Sequence, residues 1–406
     1  MTGPFLHPYA KPTRPDADYV KIVRGEGARV WDANGKSYID GMASLWYANI
    51  GYGRREIADA VHAQMSDIAA FHCFEPFTNE PAEAICTRVA RLSPIDHGRV
   101  FLTSSGSEAV DSAMKLARIA QVRAGHPERN VIVTRGRAYH GVTYGGLSAQ
   151  GLPANQEGFG PFVDGIVNIA PDDIEALATF MANHGHTVAA IMTEPVQGAG
   201  GVFPPADGYL PALRRLADQH GALLIFDEVI CAFGRLGHWF GAQHFDVRPD
   251  IITFAKAVSS GYVPLGGVIV NRTVCDALEN DPGWMFRHGH TYSGHPTACA
   301  AAMANLDIIE REDLLARSVA IGNRLFDGFD ALARDGVLRS VRREVAVGAT
   351  VLAEGADAFA VRDKLLAAGV ITRAVNPETV VWCPPLVISN DEIDTILDAV
   401  ATCARV

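Results

Sequence analysis

Ala222-Leu-Leu-Ile-Phe-Asp227-Glu228-Val229 and Ile251-Ile252-Thr253-Phe254-Ala255-Lys256 decide how this chain folds. Each begins as a short uninterrupted apolar run, the pattern of a strand buried on both faces. Each ends by releasing one charged side chain, Asp227 from the first and Lys256 from the second. Open α/β sheets keep their ligands beyond the carboxyl ends of the strands, so the two runs place a carboxylate and an amine in one crevice. A lysine amine can form a Schiff base with an aldehyde, and an acid can hold a pyridinium nitrogen opposite it. Lys256 lies between Phe254-Ala255 and Ala257-Val258, where a solvated lysine is out of place. Desolvation there favours the neutral, nucleophilic amine.

Outward from this pair the chain alternates. Similar apolar runs occur at 99–102, 131–134, 165–169, 188–192 and 265–270, most of them separated by helical periodicity such as that of 209–220. Strands alternating with helices predict an α/β fold with a mainly parallel sheet covered on both faces. The runs at 251–254 and 265–270 have only a loop between them, so one strand is expected to pair antiparallel. Near the start, strand-like 28–32 and 37–40 flank the turn Asn34-Gly35, a hairpin signal. From Arg55, the residues Ile57, Val61, Met65 and Ile68 recur on one helical face. A small-residue helix is expected over 297–310, and the tail from about 311 mixes helices with strand-like 346–351 and 380–382.

Composition sets the outer bounds. The chain has 406 residues, 48% of them hydrophobic and 20% charged, enough for a large core and a smaller companion lobe. A formal charge of −11 argues against a nucleic-acid partner, which needs a basic face. The seven cysteines are scattered without a Cys-x-x-Cys, as in a reduced compartment. The first residues carry neither a basic region nor a long apolar stretch, and no run of about 18 apolar residues occurs. A cytoplasmic protein without a membrane partner is expected.

Three further stretches are candidate chemistry. Thr103-Ser104-Ser105-Gly106-Ser107-Glu108 follows a strand and opens a helix, the arrangement that aims N–H groups and hydroxyls at a phosphate. The same Ser105-x-x-Glu108 is equally a capping box that only starts a helix. Tyr139 in Ala138-Tyr139-His140-Gly141 stands just beyond the 131–134 run and can lie flat on an aromatic ligand, or simply fill a core. His288-Gly-His290-Thr291-Tyr-Ser-Gly-His295 lacks the acidic cluster or cysteine pair of a metal site, so no metal is expected. Its Gly-rich loop can present Thr291 to an anion.

In this order, the pieces resemble the class III aminotransferases of pyridoxal phosphate (PLP) fold type I, and within them the ω-amino acid:pyruvate and amine:pyruvate transaminases. The specific stretches are Asp40-Gly-Met-Ala-Ser-Leu-Trp46-Tyr-Ala-Asn-Ile-Gly-Tyr-Gly53, Glu194-Pro-Val-Gln-Gly-Ala-Gly-Gly201 and Asp227-Glu-Val-Ile-Cys-Ala-Phe-Gly-Arg235. Pro249-Asp-Ile-Ile-Thr-Phe-Ala-Lys256 and Thr291-Tyr-Ser-Gly-His-Pro296 complete the set, and the likeness covers nearly the whole chain.

The resemblance implies a large domain with a seven-stranded sheet over 55–300, and a smaller α+β domain built by both termini, 1–54 and 301–406. It implies PLP joined to Lys256, with Asp227 on the ring nitrogen, Val229 on one ring face and Tyr139 on the other, next to His140. Ser105, Gly106 and Ser107 would hold the phosphate, with Thr291 supplied by the partner subunit of a homodimer that shares its sites. Trp46 would wall the substrate pocket, and Arg373 would swing in for a substrate carboxylate. The reaction implied moves an amino group from an amine or ω-amino acid donor to a keto-acid acceptor such as pyruvate. Diaminopelargonate-, ornithine- or GABA-type aminotransferases, a PLP decarboxylase and a PLP-binding protein without turnover are the rival readings. Three positions depart from the family pattern. Ala257 stands where glycine is usual, Ile230 where ornithine- or GABA-type members place glutamine, and His290 where close relatives carry an aromatic residue.

Overall fold

The computed structural model describes residues 3–405. The first sheet strands are β1 (Ile22–Glu26), β2 (Arg29–Asp32) and β3 (Ser37–Asp40), paired antiparallel. The expected hairpin at Asn34-Gly35 joins β2 to β3. Gly35 sits at φ +83°, open to glycine at little cost, and Asp32 Oδ1 accepts the Asn34 and Lys36 N–H groups at 2.9 and 3.0 Å.

Seven strands build the main sheet: β4 (Arg99–Thr103), β5 (Val131–Arg135), β6 (Ile166–Ile169), β7 (Val188–Thr193), β8 (Leu223–Asp227), β9 (Ile251–Phe254) and β10 (Gly266–Val270). Their order is β4-β10-β9-β8-β7-β5-β6. Strands β5 to β9 pair in parallel, and β10 lies antiparallel between β4 and β9. The apolar runs thus form the mainly parallel sheet expected, with the antiparallel step at the loop-linked pair. Every residue of β7 to β10 is buried, as covered faces require. Helix Gly106–Arg123 lies on this sheet through Ala109, Val110, Ala113, Ala117 and Ala120, small residues that let it approach closely.

The C-terminal part adds β11 (Leu338–Glu344), β12 (Val347–Leu352), β13 (Val370–Ile371), β14 (Arg373–Asn376) and β15 (Thr379–Trp382). Four of them form an antiparallel sheet ordered β11-β12-β15-β14. β13 instead pairs in parallel with β3, so chain segments from both ends share one sheet and build the smaller α+β lobe. Among the described residues, no helix is long and apolar enough to cross a membrane.

Arg235 ties together segments far apart in the chain. It is fully buried, and its guanidinium donates to Ala346 O at 3.0 Å, Pro384 O at 2.8 Å and Asn49 Oδ1 at 2.6 Å. Asn49 Nδ2 returns to Phe233 O at 2.9 Å. Replacing Arg235 with Ala strands these acceptors in a dry interior, a loss of about 3 kcal/mol or more. Arg235→Ala should lower the thermal melting midpoint by several degrees. An unchanged melt would show that the buried guanidinium does not hold these segments.

Candidate active site

The parallel strands deliver their ends to one edge of the sheet, and a cleft of about 350 Å³ opens there. Ser105, Gly106 and Ser107 line it from beyond β4, Tyr139 and His140 from beyond β5, and Glu194 from beyond β7. Asp227 and Val229 enter from the end of β8, and Lys256 from just past β9.

Asp227 is buried and held on both oxygens. Its Oδ2 lies 2.7 Å from His140 Nδ1, and its Oδ1 accepts Thr253 Oγ1 at 3.0 Å and the Val229 N–H at 3.2 Å. Pairing with a carboxylate favours the proton on Nδ1 of His140. Glu194 is buried close by, and its carboxylate accepts the N–H groups of Tyr139 and Gly198, each at 2.9 Å. Burial pushes the Glu194 carboxyl above the usual range, opposed by His140 and by those two N–H donors.

Lys256 opens a one-turn 3-10 segment, Lys256–Val258, with its own backbone at φ +49°. That strained turn is fixed from behind by Asn305, whose Nδ2 donates to Ala257 O and Val258 O at 2.9 Å each. Burial lowers the Lys256 pKa, against the pull of Asp227 and Glu194, and the amine has neither ion pair nor hydrogen bond among the described residues. Ala257 keeps its methyl buried in the core without a left-handed φ, so the departure from glycine costs the turn nothing visible.

At the opposite end, Ser105 caps helix Gly106–Arg123, its Oγ accepting the Glu108 N–H at 3.2 Å, while Ser107 Oγ accepts the Val142 N–H at 3.0 Å. The capping role and an open helix N-terminus coexist, because the first N–H groups of a helix have no carbonyl of their own. A Cβ on Gly106 would come within 3.0 Å of Val229 Cγ1, so glycine leaves the floor of the cleft clear. An unpartnered buried amine, a secured carboxylate and an open helix N-terminus suit PLP: aldehyde, ring nitrogen and phosphate each find a complementary group.

Other expected residues lie elsewhere. Trp46 is 2% exposed at φ +70° and packs in a buried cluster with Ile230, while its neighbour Tyr47 lines the cleft. Thr291 is exposed in the loop before helix Pro296–Arg311 and lies outside the cleft of its own chain. His290 stands 5.5 Å from His288, ring to ring, and also outside the cleft; Ile230 lines it. Arg373 begins β14, half-buried, with its guanidinium carbon 5.9 Å from the Tyr9 ring centre. Among the described residues, no group of three or more His, Cys, Asp or Glu is gathered as metal ligands would be.

Glu194, Thr253 and Tyr47 had no role in the sequence reading. Glu194 carries a signal like that of Asp227, an acid just past the apolar run 188–192 with one threonine between. Thr253 is found only through register, because it faces Asp227 across the β8–β9 pair.

Fold and cleft together are those of a PLP-dependent enzyme of fold type I. The class-III aminotransferase family model matches residues 11–404, and the chain belongs to that family. It is 34% identical to a putrescine–pyruvate aminotransferase of Pseudomonas aeruginosa, over 94% of this chain and 90% of that protein. A taurine–pyruvate aminotransferase of Bilophila wadsworthia is 35% identical over 92% of this chain and 90% of its own. The crystal structure of a thermostable (S)-enantioselective ω-transaminase from Thermomicrobium roseum superposes with a TM-score of 0.93 at 38% identity, covering 98% of this chain and 95% of that one. The protein is a PLP-dependent aminotransferase.

Burial of Lys256 has a measurable consequence. A depressed amine pKa makes the reactive neutral form available at lower pH than for a free lysine, near 10.4. When PLP is added to apoprotein, the rate of its Schiff-base absorbance change should rise with pH to a midpoint below that value. A midpoint at or above it would mean that Asp227 and Glu194 outweigh desolvation.

Proposed function

We propose that this aminotransferase carries an amino group from an amine or ω-amino acid to pyruvate in two half-reactions at one site. The observation that carries it is the unpartnered amine of Lys256 facing the secured carboxylate of Asp227 across the cleft. PLP held there would supply the electron sink and the carbonyl carbon that amino transfer requires.

The chain's residues do the rest. Lys256 would take the proton from the amine-bearing carbon of the donor as general base and, as general acid, pass it to the cofactor carbon rather than back to the donor, for which a lowered pKa suits it. Asp227, bonded by His140, Thr253 and the Val229 N–H, would hold a proton on the ring nitrogen. Val229 and Tyr139 would confine the ring, and Ser105, Gly106 and Ser107 with the helix N-terminus would take the phosphate. Trp46, buried in the same cluster as Ile230, would back the substrate wall. Thr291, exposed in a single chain, is assigned to the partner's phosphate site in a homodimer. Residues 55–300 form the PLP-binding domain, and 1–54 with 301–406 the smaller one. Seven unpaired thiols support a cytoplasmic setting.

Arg373 is assigned to the carboxylate of pyruvate, its planar fork suiting a bidentate contact. Pyruvate rather than another keto acid follows the acceptors in the names of the two relatives above, and putrescine and taurine mark the breadth of donors among them.

Lys256→Ala should abolish formation of alanine from pyruvate and any amine, along with the cofactor's protein-bound absorbance. Retention of wild-type turnover by that variant would remove the assignment. Arg373→Ala should lower kcat/KM for pyruvate about ten- to a hundredfold, the worth of a charge-assisted contact, with a smaller effect on an amine lacking a carboxylate. Equal losses on both substrates would count against the carboxylate role.

A further inference from the structure

Tyr9 has no role in the mechanism above. It lies in the segment ahead of β1, which is tied to itself at three points. Asp16 Oδ1 accepts the Gly3 N–H at 2.8 Å, the His7 ring stacks on Tyr19 at 3.9 Å, and the Arg14 guanidinium lies 4.8 Å over Tyr19. Tyr9 itself is 64% exposed, so no core holds it. Its backbone is nevertheless left-handed, at φ +50°, a conformation that strains a bulky residue and persists where the surroundings impose it.

Two contacts of the side chain account for the position. The Tyr9 phenol is near enough to the Tyr139 phenol to add to burial in pushing the latter up. The Tyr9 ring lies by the Arg373 guanidinium, whose carbon is 5.9 Å from the ring centre. Tyr9 therefore stands near both a residue lining the cleft and the arginine assigned to the substrate carboxylate, whose guanidinium has no hydrogen bond or ion pair among the described residues.

Resting on the assignment of Arg373 made above, we infer that Tyr9 is the resting partner of Arg373 and so a specificity-determining residue. The ring holds the guanidinium aside while an apolar amine occupies the site, and the guanidinium leaves the ring when a carboxylate enters. A cation near the outer reach of a ring face is held weakly, and the role requires that. A strong hold would keep the arginine from pyruvate, and none at all would leave a charge over the apolar donor. With two arginine positions in equilibrium, the ratio of the enzyme's efficiencies on the two substrates follows the equilibrium constant between them.

The test is a double-mutant cycle read as the ratio of kcat/KM for pyruvate to kcat/KM for benzylamine. Tyr9→Ala should raise that ratio about two- to fivefold, the factor expected for an exposed cation–π contact. Tyr9→Phe, which keeps the ring, should retain the wild-type ratio. In an Arg373→Ala background, Tyr9→Ala should leave the ratio where Arg373→Ala put it. An unmoved ratio in Tyr9→Ala, the same change in both backgrounds, or equal effects of Tyr9→Phe and Tyr9→Ala would each overturn the inference while leaving Arg373 in place. If Arg373→Ala itself does not select against pyruvate, the assignment of Arg373 falls and this inference with it.

Discussion

A buried amine that faces carboxylates without pairing to them is the constraint on which the site depends. An ion pair with Asp227 would stabilise the charged form of Lys256 and cancel the effect of burial. The strand register prevents it. Across β8 and β9, Asp227 stands opposite Thr253, and Thr253 Oγ1 occupies Asp227 Oδ1 at 3.0 Å. His140 takes the other oxygen at 2.7 Å. Lys256 comes only after β9 has ended at Phe254, in a left-handed conformation that turns the chain out of the sheet. The carboxylate is satisfied by its own neighbours, and the amine is left to desolvation, which lowers its pKa.

That turn has to be held, because a lysine at φ +49° would relax if nothing opposed it. Asn305, fully buried on helix Pro296–Arg311, spends both amide hydrogens on the carbonyls of Ala257 and Val258. The small-residue helix is thus part of the active-site scaffold, although it lines none of the cleft. The alanine at 257, buried in the core, fits the same arrangement.

Most of the sheet was legible in the sequence because a strand covered on both faces shows as an unbroken apolar run, and seven such runs became seven strands. Asp227 and Lys256 were legible as charges at the ends of two runs, and Glu194 would have been on the same criterion. Thr253 was not, since its importance lies in which residue it faces across a strand pair. Nor was the placing of Trp46. Residues Ala43, Ser44 and Trp46 have φ of +45°, +58° and +70°, and this irregular backbone buries the tryptophan and turns Tyr47 to the cleft. Periodicity cannot register such a turn. The phosphate reading of Ser105–Ser107 and the capping reading also proved compatible, because a side chain can cap a helix while the helix N-terminus faces a cleft.

Arg235 and Arg373 show how one side-chain type serves opposite ends in the smaller lobe's contact with the site. Arg235 donates to two carbonyls and an amide oxygen in full burial, and every donor so used ties it to a segment far along the chain. Arg373, half-buried at the start of β14, has no such acceptors among its described contacts, and the Tyr9 ring is what stands beside it. An arginine with its donors filled is fixed in place, because leaving would strand buried acceptors. An arginine with its donors open loses little by moving and gains most when a carboxylate arrives. Under the proposed assignment, the guanidinium pinned at 235 and the open one at 373 meet these two requirements separately.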